Sequence, residues 1–138
     1  MSDMDYELSW NKLKEYIREH LRVLTKIKDL HTFYDIPVVP EDDGAIEMAE
    51  KTVAFIEDAE RDRESSDMNC YALWSSLRGF LTLNYVTDSA MYMWSEVDSE
   101  ERLHAAGAMD AATAILEQME MIEKETTTNA KESETLNK

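Results

Sequence analysis

Apolar side chains recur at alternating intervals of three and four residues along the first part of the chain. They stand at Tyr6, Trp10, Leu13, Ile17, Leu24 and Ile27, with His20 in the remaining slot. This heptad spacing predicts a helix over about residues 4–30, with a narrow apolar seam facing a second helix. The pattern leaves open whether that helix belongs to the same chain or to another copy. Pro37 and Pro40 then predict a short extended connector, because each proline moves its predecessor out of the α region.

The middle of the chain predicts two further long helices. Glu41, Asp42 and Asp43 supply a cap and favourable charge for the first, whose stripe is Ile46, Ala49, Val53 and Ile56. Residues 65–67 form a polar break. From Cys70 to Val86 the chain is apolar on nearly all sides, which predicts a central, most buried third helix.

The last third of the chain predicts a closing helix and leaves one boundary open. Residues 87–89 mark the start of a short extra segment, with limits between residues 84 and 98 that the pattern does not define. Asp98 and Glu101 form a capping-box pattern that opens a helix to about Lys124. The predicted fold is therefore all-α, a compact bundle of four to five helices in one domain (1–125) with a disordered polar tail (126–138).

Charge narrows the range of partners. The chain carries 30 acids against 14 lysines and arginines, for a net charge of −16. Residues 1–36 hold seven acids and six bases, whereas residues 37–67 hold eleven acids and three bases. Such a field repels nucleic-acid phosphates and favours proteins with a basic surface.

The cysteine content and the hydropathy suggest a location. Cys70 is the single cysteine and cannot close an internal disulfide, so a reducing compartment is expected. Neither a secretory signal nor a membrane-spanning run is evident in the sequence. The expectation is a cytoplasmic protein that has no membrane association and needs no cofactor.

One carboxylate pattern raises an enzymatic alternative. Glu47-x-x-Glu50 followed by Glu64-x-x-Asp67 is similar to the cluster with which MazG-type nucleoside triphosphate pyrophosphohydrolases hold Mg²⁺. In so acidic a chain such matches arise by chance, and a single uninterrupted helix would hold the two halves apart. We expect no enzymatic activity and keep this hydrolase as an alternative.

Two histidines and a basic stripe invite other hypotheses. Glu101-x-x-His104 has the spacing of half a di-iron carboxylate site but lacks a second copy, so a metal role is not expected. His20 lies in the apolar seam and suggests a pH-sensitive contact. A basic stripe recurs every four residues and is expected to pair with carboxylates of neighbouring helices or subunits, at Lys14, Arg18, Arg22 and Lys26.

The two ends of the chain resemble a known class of proteins. DYELSWNKLKEYI and AGAMDAATAILEQMEMIE look like the two helices of small uncharacterised coiled-coil proteins of phages that infect Gram-positive bacteria. The resemblance covers about 30 residues. It implies a phage or prophage origin, the host cytoplasm as location, and assembly through helices.

These observations favour a non-enzymatic interaction protein. The leading hypothesis is a phage-encoded modulator or inhibitor of a host protein with a basic surface, with DNA mimicry as one form. The alternative is an oligomeric coiled-coil protein, most simply a dimer. The expected interaction residues are Trp10, Leu13, Ile17, His20, Leu24, Glu57, Asp58, Glu60, Asp62, Tyr92 and Trp94.

Overall fold

Four helices make up the computed structural model, which describes residues 5–65 and 69–136. Helix α1 spans Tyr6–Phe33, α2 Pro40–Ser65, α3 Cys70–Trp94 and α4 Glu100–Leu136, and no strand occurs among the described residues. The all-α prediction is confirmed. The side chains of residues 63–65 and 126–136 lie outside this description, so the predicted disorder of the tail, residues 126–138, falls beyond it. The helical backbone of α4 nevertheless continues well past the predicted end near Lys124.

Helix α1 ends three residues later than predicted, in a Schellman motif. The Ile36 amide donates to the His31 carbonyl at 2.8 Å, and the Asp35 amide donates to the Thr32 carbonyl at 3.2 Å. Asp35 adopts a left-handed backbone with φ 61°, the conformation that this ending requires and that aspartate tolerates better than most residues. The chain therefore turns at Asp35, the first residue of the predicted connector.

The helix starts differ from the predicted caps. Pro40 is the first residue of α2, a position that needs no amide donor, so the three acids that follow occupy the first turn. At α4 the Ser99 hydroxyl accepts from the Arg102 amide at 3.2 Å. The predicted Asp98–Glu101 capping box is therefore wrong, because Asp98 lies one residue too early, with φ 65°.

Helix α3 continues through the break predicted at residues 87–89. The Thr87 hydroxyl donates to the Leu83 carbonyl one turn earlier, at 2.9 Å, so this residue is accommodated inside the helix. The bundle therefore has four long helices in the described part of the chain, and the short extra segment does not form.

Contacts between helix ends define an up-down-up-down arrangement. At one end the Tyr6 ring meets the Tyr71 ring edge-on, with centroids 5.1 Å apart, and Trp10 donates to Glu60 at 3.3 Å. At the other end Lys28 lies 3.0 Å from Asp43. Helix α1 is therefore antiparallel to α2 and parallel to α3, and the bond from Trp74 to Glu123 sets α3 antiparallel to α4.

Helices α2 and α4 form the closest pair, and glycine makes this possible. Gly44 lies against the backbone of His104 and Ala108, and Gly107 lies against the backbone of Glu41. The two helices run in the same direction with their backbones in contact. Side chains larger than hydrogen at these two positions would separate them.

The core is organised around α4, contrary to the prediction for α3. Seven apolar side chains are buried among the described residues of α4, namely Ala105, Ala108, Ala111, Ala112, Ile115, Met119 and Ile122. The buried residues of α3 all lie in its first half, which includes the free thiol of Cys70. Its second half exposes Leu83, Val86, Met93 and Trp94. The apolar residues on all sides of α3 therefore reflect the exposure of its second half, and α3 is not the central helix of the bundle.

Hydropathy is moderate throughout the bundle. Within residues 5–65 and 69–136, no helix combines the length and the apolar character that crossing a bilayer requires.

Candidate functional site: an acidic groove between α2 and α3

Helices α2 and α3 both pack mainly on α4 and touch each other little, which leaves an open groove between them. The groove is lined on α2 by one helix face and on α3 by the ridge opposite. The α2 residues are Asp43, Glu47, Lys51, Phe55, Asp58 and Asp62; the α3 residues include Ser76, Phe80, Leu83, Asp88 and Met91. Spacings of three and four keep each set on one side of its helix. We call this surface the α2–α3 groove.

The aromatic cleft is the part of the groove near the end of α2, with a volume of about 530 Å³. Its floor is the stacked pair Phe55 and Phe80, whose ring centroids lie 4.5 Å apart at 17°, with Leu83 beside them. Asp58 and Asp62 stand on its α2 side. The cleft thus offers an apolar surface next to carboxylates.

The histidine cleft is the part near the start of α2, with a volume of about 520 Å³. Glu47 lines this cleft, 2.7 Å from His104 of α4 and 3.3 Å from Lys51. Burial raises the pKa of the Asp88 carboxyl, an effect that positive charge on Lys51 and His104 partly offsets. Glu100 and Glu101 add two carboxylates at the mouth.

Carboxylates outnumber basic groups along the groove, and Asp43 and Asp58 also pair with Lys28 and Arg61, which lie outside its lining. Its lining includes seven carboxylates against one lysine and one histidine: Asp43, Glu47, Asp58, Asp62, Asp88, Glu100 and Glu101. Field lines concentrate in a cleft whose walls carry one sign of charge, which favours a positively charged ligand.

The four acids of α2 that were predicted as interaction residues lie on different faces of the helix. Asp58 and Asp62 line the aromatic cleft. Glu57 is exposed on another face of the helix and does not line the groove. Glu60 points toward α1, where Lys14 at 2.6 Å and Trp10 donate to it. Burial raises the pKa of Glu60, but these hydrogen bonds outweigh it and hold the pKa below its usual value.

The predicted apolar seam of α1 divides as well. Trp10, Leu13 and Ile17 are buried in the core of the chain itself, while His20 and Leu24 are half-buried. The first half of the seam is therefore intramolecular and unavailable to a partner. Of the basic stripe, Lys14 pairs with Glu60 of α2 as predicted, whereas Arg22 pairs with Glu19 of α1 itself.

We predict a pH-dependent stability from His20. Its ring stacks on Tyr16 with centroids 5.9 Å apart, and burial lowers the pKa of the imidazole from its usual 6.5. The unfolded chain then takes up the proton at higher pH than the folded chain does, so the contribution is complete above pH 6.5 and is lost as the pH falls below it.

Urea unfolding of wild type and His20→Leu between pH 8 and 5.5 measures this effect. Carboxylates titrate in both proteins, so the difference between the two profiles isolates His20. We expect the wild type to lose more stability on acidification, and superimposable profiles would contradict the prediction.

The two predicted aromatic anchors differ in exposure. Tyr92 lies beneath the Arg102 guanidinium, 4.2 Å from ring centroid to Cζ, and is half-buried. Trp94 is 88% exposed. Thr87 follows Leu83 by four residues and Trp94 follows Thr87 by seven, so all three lie on one side of α3. Leu83 lines the groove, and Trp94 therefore faces the same side. Of the two, Trp94 is the one free to contact a partner.

The carboxylate pattern of the hydrolase alternative does not come together within one chain. Glu47, Glu50 and Glu64 all lie on the continuous helix α2, which separates Glu50 from Glu64 by about 21 Å along the axis. Asp67 and the Glu64 side chain fall outside the described residues. Within the described part, no group of three or more potential ligands is placed to hold a metal ion, and this includes the region of Glu101 and His104.

Sequence reasoning missed half of this surface. Phe55, Phe80 and Leu83 were predicted as part of apolar helix faces, and Asp88 was predicted at a helix boundary and not in a binding surface. The available signal was the ladder of acidic and aromatic positions on one face of α2.

No protein-family model, curated protein or solved structure matches the chain.

Proposed function

We propose that this protein is a non-enzymatic, acidic protein–protein interaction module whose α2–α3 groove binds a basic, amphipathic segment of another protein. The observation that carries the proposal is the aromatic cleft, where a stacked phenylalanine floor adjoins Asp58 and Asp62. Such a surface matches a helix with leucine-like residues on one face and lysine or arginine beside them.

Electrostatics supports a partner of this charge. The chain has a net charge of −16, and several of its carboxylates line the groove. A basic segment is therefore attracted before contact and oriented on approach. The same field opposes direct binding of DNA or RNA. A protein that itself binds nucleic acid has the basic surface required, and occupying that surface makes this chain a modulator or inhibitor.

The apolar part of the groove supports selectivity. Phe55 and Phe80 supply a rigid contact, and the exposed Trp94 lies further along the same side of α3. Aromatic residues of this kind carry much of the binding energy at protein interfaces. The resemblance of the chain ends to phage coiled-coil proteins suggests a bacterial host protein as partner.

A designed peptide tests the proposal directly. The probe is a fluorescein-labelled helix of about five turns made of leucine and lysine in an amphipathic order, compared with a peptide of the same composition in scrambled order. We expect the amphipathic peptide to bind more tightly and its affinity to fall steeply with added salt. Equal binding of the two peptides, or an affinity unaffected by salt, would contradict the proposal.

Two variants with the same charge change locate the site. Asp58→Asn with Asp62→Asn removes two charges from the groove, and Glu50→Gln with Glu57→Gln removes two exposed charges of α2 that do not line it. The groove variant should bind the amphipathic peptide at least about tenfold more weakly, equivalent to about 1.4 kcal/mol. The control variant should change the affinity far less. Equal losses would show that net charge, and not the groove, attracts the peptide.

A further inference from the structure

A second apolar stripe runs along α1, beside the seam that enters the core. It consists of Tyr16, His20, Val23, Ile27, Leu30 and the C-cap residue Tyr34. Intervals of four and three alternate without a break over these six positions. Val23, Ile27 and Leu30 remain 42%, 39% and 47% exposed, and Tyr34 is 66% exposed. We call this surface the α1 stripe.

The first residue of the α1 stripe, Tyr16, still packs against the core, and the stripe becomes exposed from Val23 onward. Up to Ile17 the helix is packed into the core, and Trp10 and Lys14 bond to the end of α2. Beyond Ile17, Lys28 still holds α1 to the start of α2 through Asp43, on the flank of the helix opposite Val23 and Leu30. The stripe is therefore an outward face of a helix that is otherwise anchored.

The spacing of the stripe specifies the shape of its partner. Alternation of three and four residues presents knobs and holes to one other helix that wraps around it at a shallow angle. A flat sheet or an irregular loop does not match this periodicity. The occupant is accordingly a helix with the same repeat.

Charge favours another copy of α1 as that helix. The first 36 residues are nearly neutral, with seven acids and six bases, whereas the rest of the chain is strongly acidic. Two copies therefore repel one another least along this segment. A strongly basic or acidic partner would find no complementary surface here.

The flanking residues determine the orientation. With Tyr16, Val23 and Leu30 at the d positions of a heptad, Glu19 and Lys26 occupy the g positions at the open edge of the stripe, while Ile17 and Leu24 at e face the core. Antiparallel helices bring g opposite g, so Glu19 of each copy, which also pairs with Arg22 of its own helix, meets Lys26 of the other. Parallel helices would need the e positions, which the fold already uses.

We propose that two copies of this chain associate through the α1 stripe as an antiparallel, twofold-symmetric helix pair, with Glu19 and Lys26 forming reciprocal ion pairs. This surface is separate from the α2–α3 groove, so each copy keeps its own groove accessible. The dimer carries two grooves, which allows it to engage a partner at two points.

Analytical ultracentrifugation of the full chain tests the proposal. In buffer with about 0.5 M salt, which screens the repulsion between two acidic copies, wild type should dimerise at concentrations on the order of 100 µM. Val23→Glu with Ile27→Glu should weaken dimerisation at least tenfold and leave the helical circular dichroism unchanged, because both side chains are partly exposed. A wild type that stays monomeric under these conditions would overturn the proposal.

Val86→Glu provides the matched control. Val86 is an exposed apolar residue on α3, outside both the stripe and the lining of the groove. This variant should dimerise as wild type does. If it weakens dimerisation as much as the stripe variant, or if the stripe variant remains dimeric, the contact lies elsewhere.

Exchanging the flanking charges tests the orientation. Glu19→Lys alone and Lys26→Glu alone each place like charges opposite one another and should weaken the dimer severalfold. The double variant, Glu19→Lys with Lys26→Glu, restores opposite charges in an antiparallel pair and should recover most of the affinity. A double variant that is weaker than both single variants would contradict the antiparallel arrangement.

Discussion

Replacing Gly107 with alanine should destabilise the protein by about 3 kcal/mol or prevent folding, the largest effect that we expect from a single methyl group. A Cβ at this position would overlap the backbone carbonyl of Glu41. The neighbour is main chain of α2, so no side-chain rotation relieves the overlap and the two helices must separate. The same reasoning applies to Gly44, whose Cβ would meet the His104 carbonyl.

Gly79→Ala is the control, because a Cβ there meets nothing within 4 Å. Alanine is a better helix former than glycine, so this substitution should stabilise the protein by about 0.5–1 kcal/mol. Urea unfolding followed by circular dichroism measures all three variants. Equal changes in stability for Gly107→Ala and Gly79→Ala would show that the close α2–α4 contact does not form.

These glycines explain why the centre of the bundle was misassigned from the sequence. Hydrophobic content predicted α3 as the axis, since Cys70 to Val86 is the most apolar stretch. Contact between α2 and α4 depends instead on small residues, which contribute little to hydropathy. Gly107 with Ala108, Ala111 and Ala112 lets two backbones approach, and this approach makes α4 the helix on which the others pack.

Helix identity was predicted better than helix ends. The spacing of apolar residues predicted every long helix, because burial of one face dictates that period. Ends depend on single hydrogen bonds for which neighbouring residues compete. Ser99 rather than Asp98 caps α4, and Thr87 bonds within α3 instead of ending it.

The candidate site was predicted in its charge but not in its shape. The sequence pointed to Asp58 and Asp62 because acids cluster in that segment. A groove, however, results from two helices failing to meet, and no local pattern encodes this. Phe55 and Phe80 have the apolar character of core residues. They form the floor of the groove because α3 packs mainly on α4 and makes little contact with α2.

Leu13→Ala should reduce the free energy of unfolding by about 3 kcal/mol, because Leu13 is fully buried and the truncation leaves a cavity in the core. Leu30→Ala removes the same atoms from the same helix at a position in the α1 stripe that is about half exposed. It should change the stability of the monomer by no more than about 0.5 kcal/mol. Urea unfolding at a protein concentration low enough to exclude dimers compares the two directly.

The same pair of variants separates the two apolar faces of α1, which heptad spacing alone cannot distinguish. Loss of stability in Leu13→Ala should be independent of protein concentration, because the seam of Trp10, Leu13 and Ile17 is completed inside one chain. Leu30→Ala should instead weaken dimerisation, since in the proposed dimer its face is completed by a second chain. Concentration-dependent unfolding of Leu13→Ala, or a loss in Leu30→Ala as large as that in Leu13→Ala, would mean that the two faces have been assigned the wrong way round. One helix can serve both purposes because its two stripes are offset around the axis and share only His20 and Ile27.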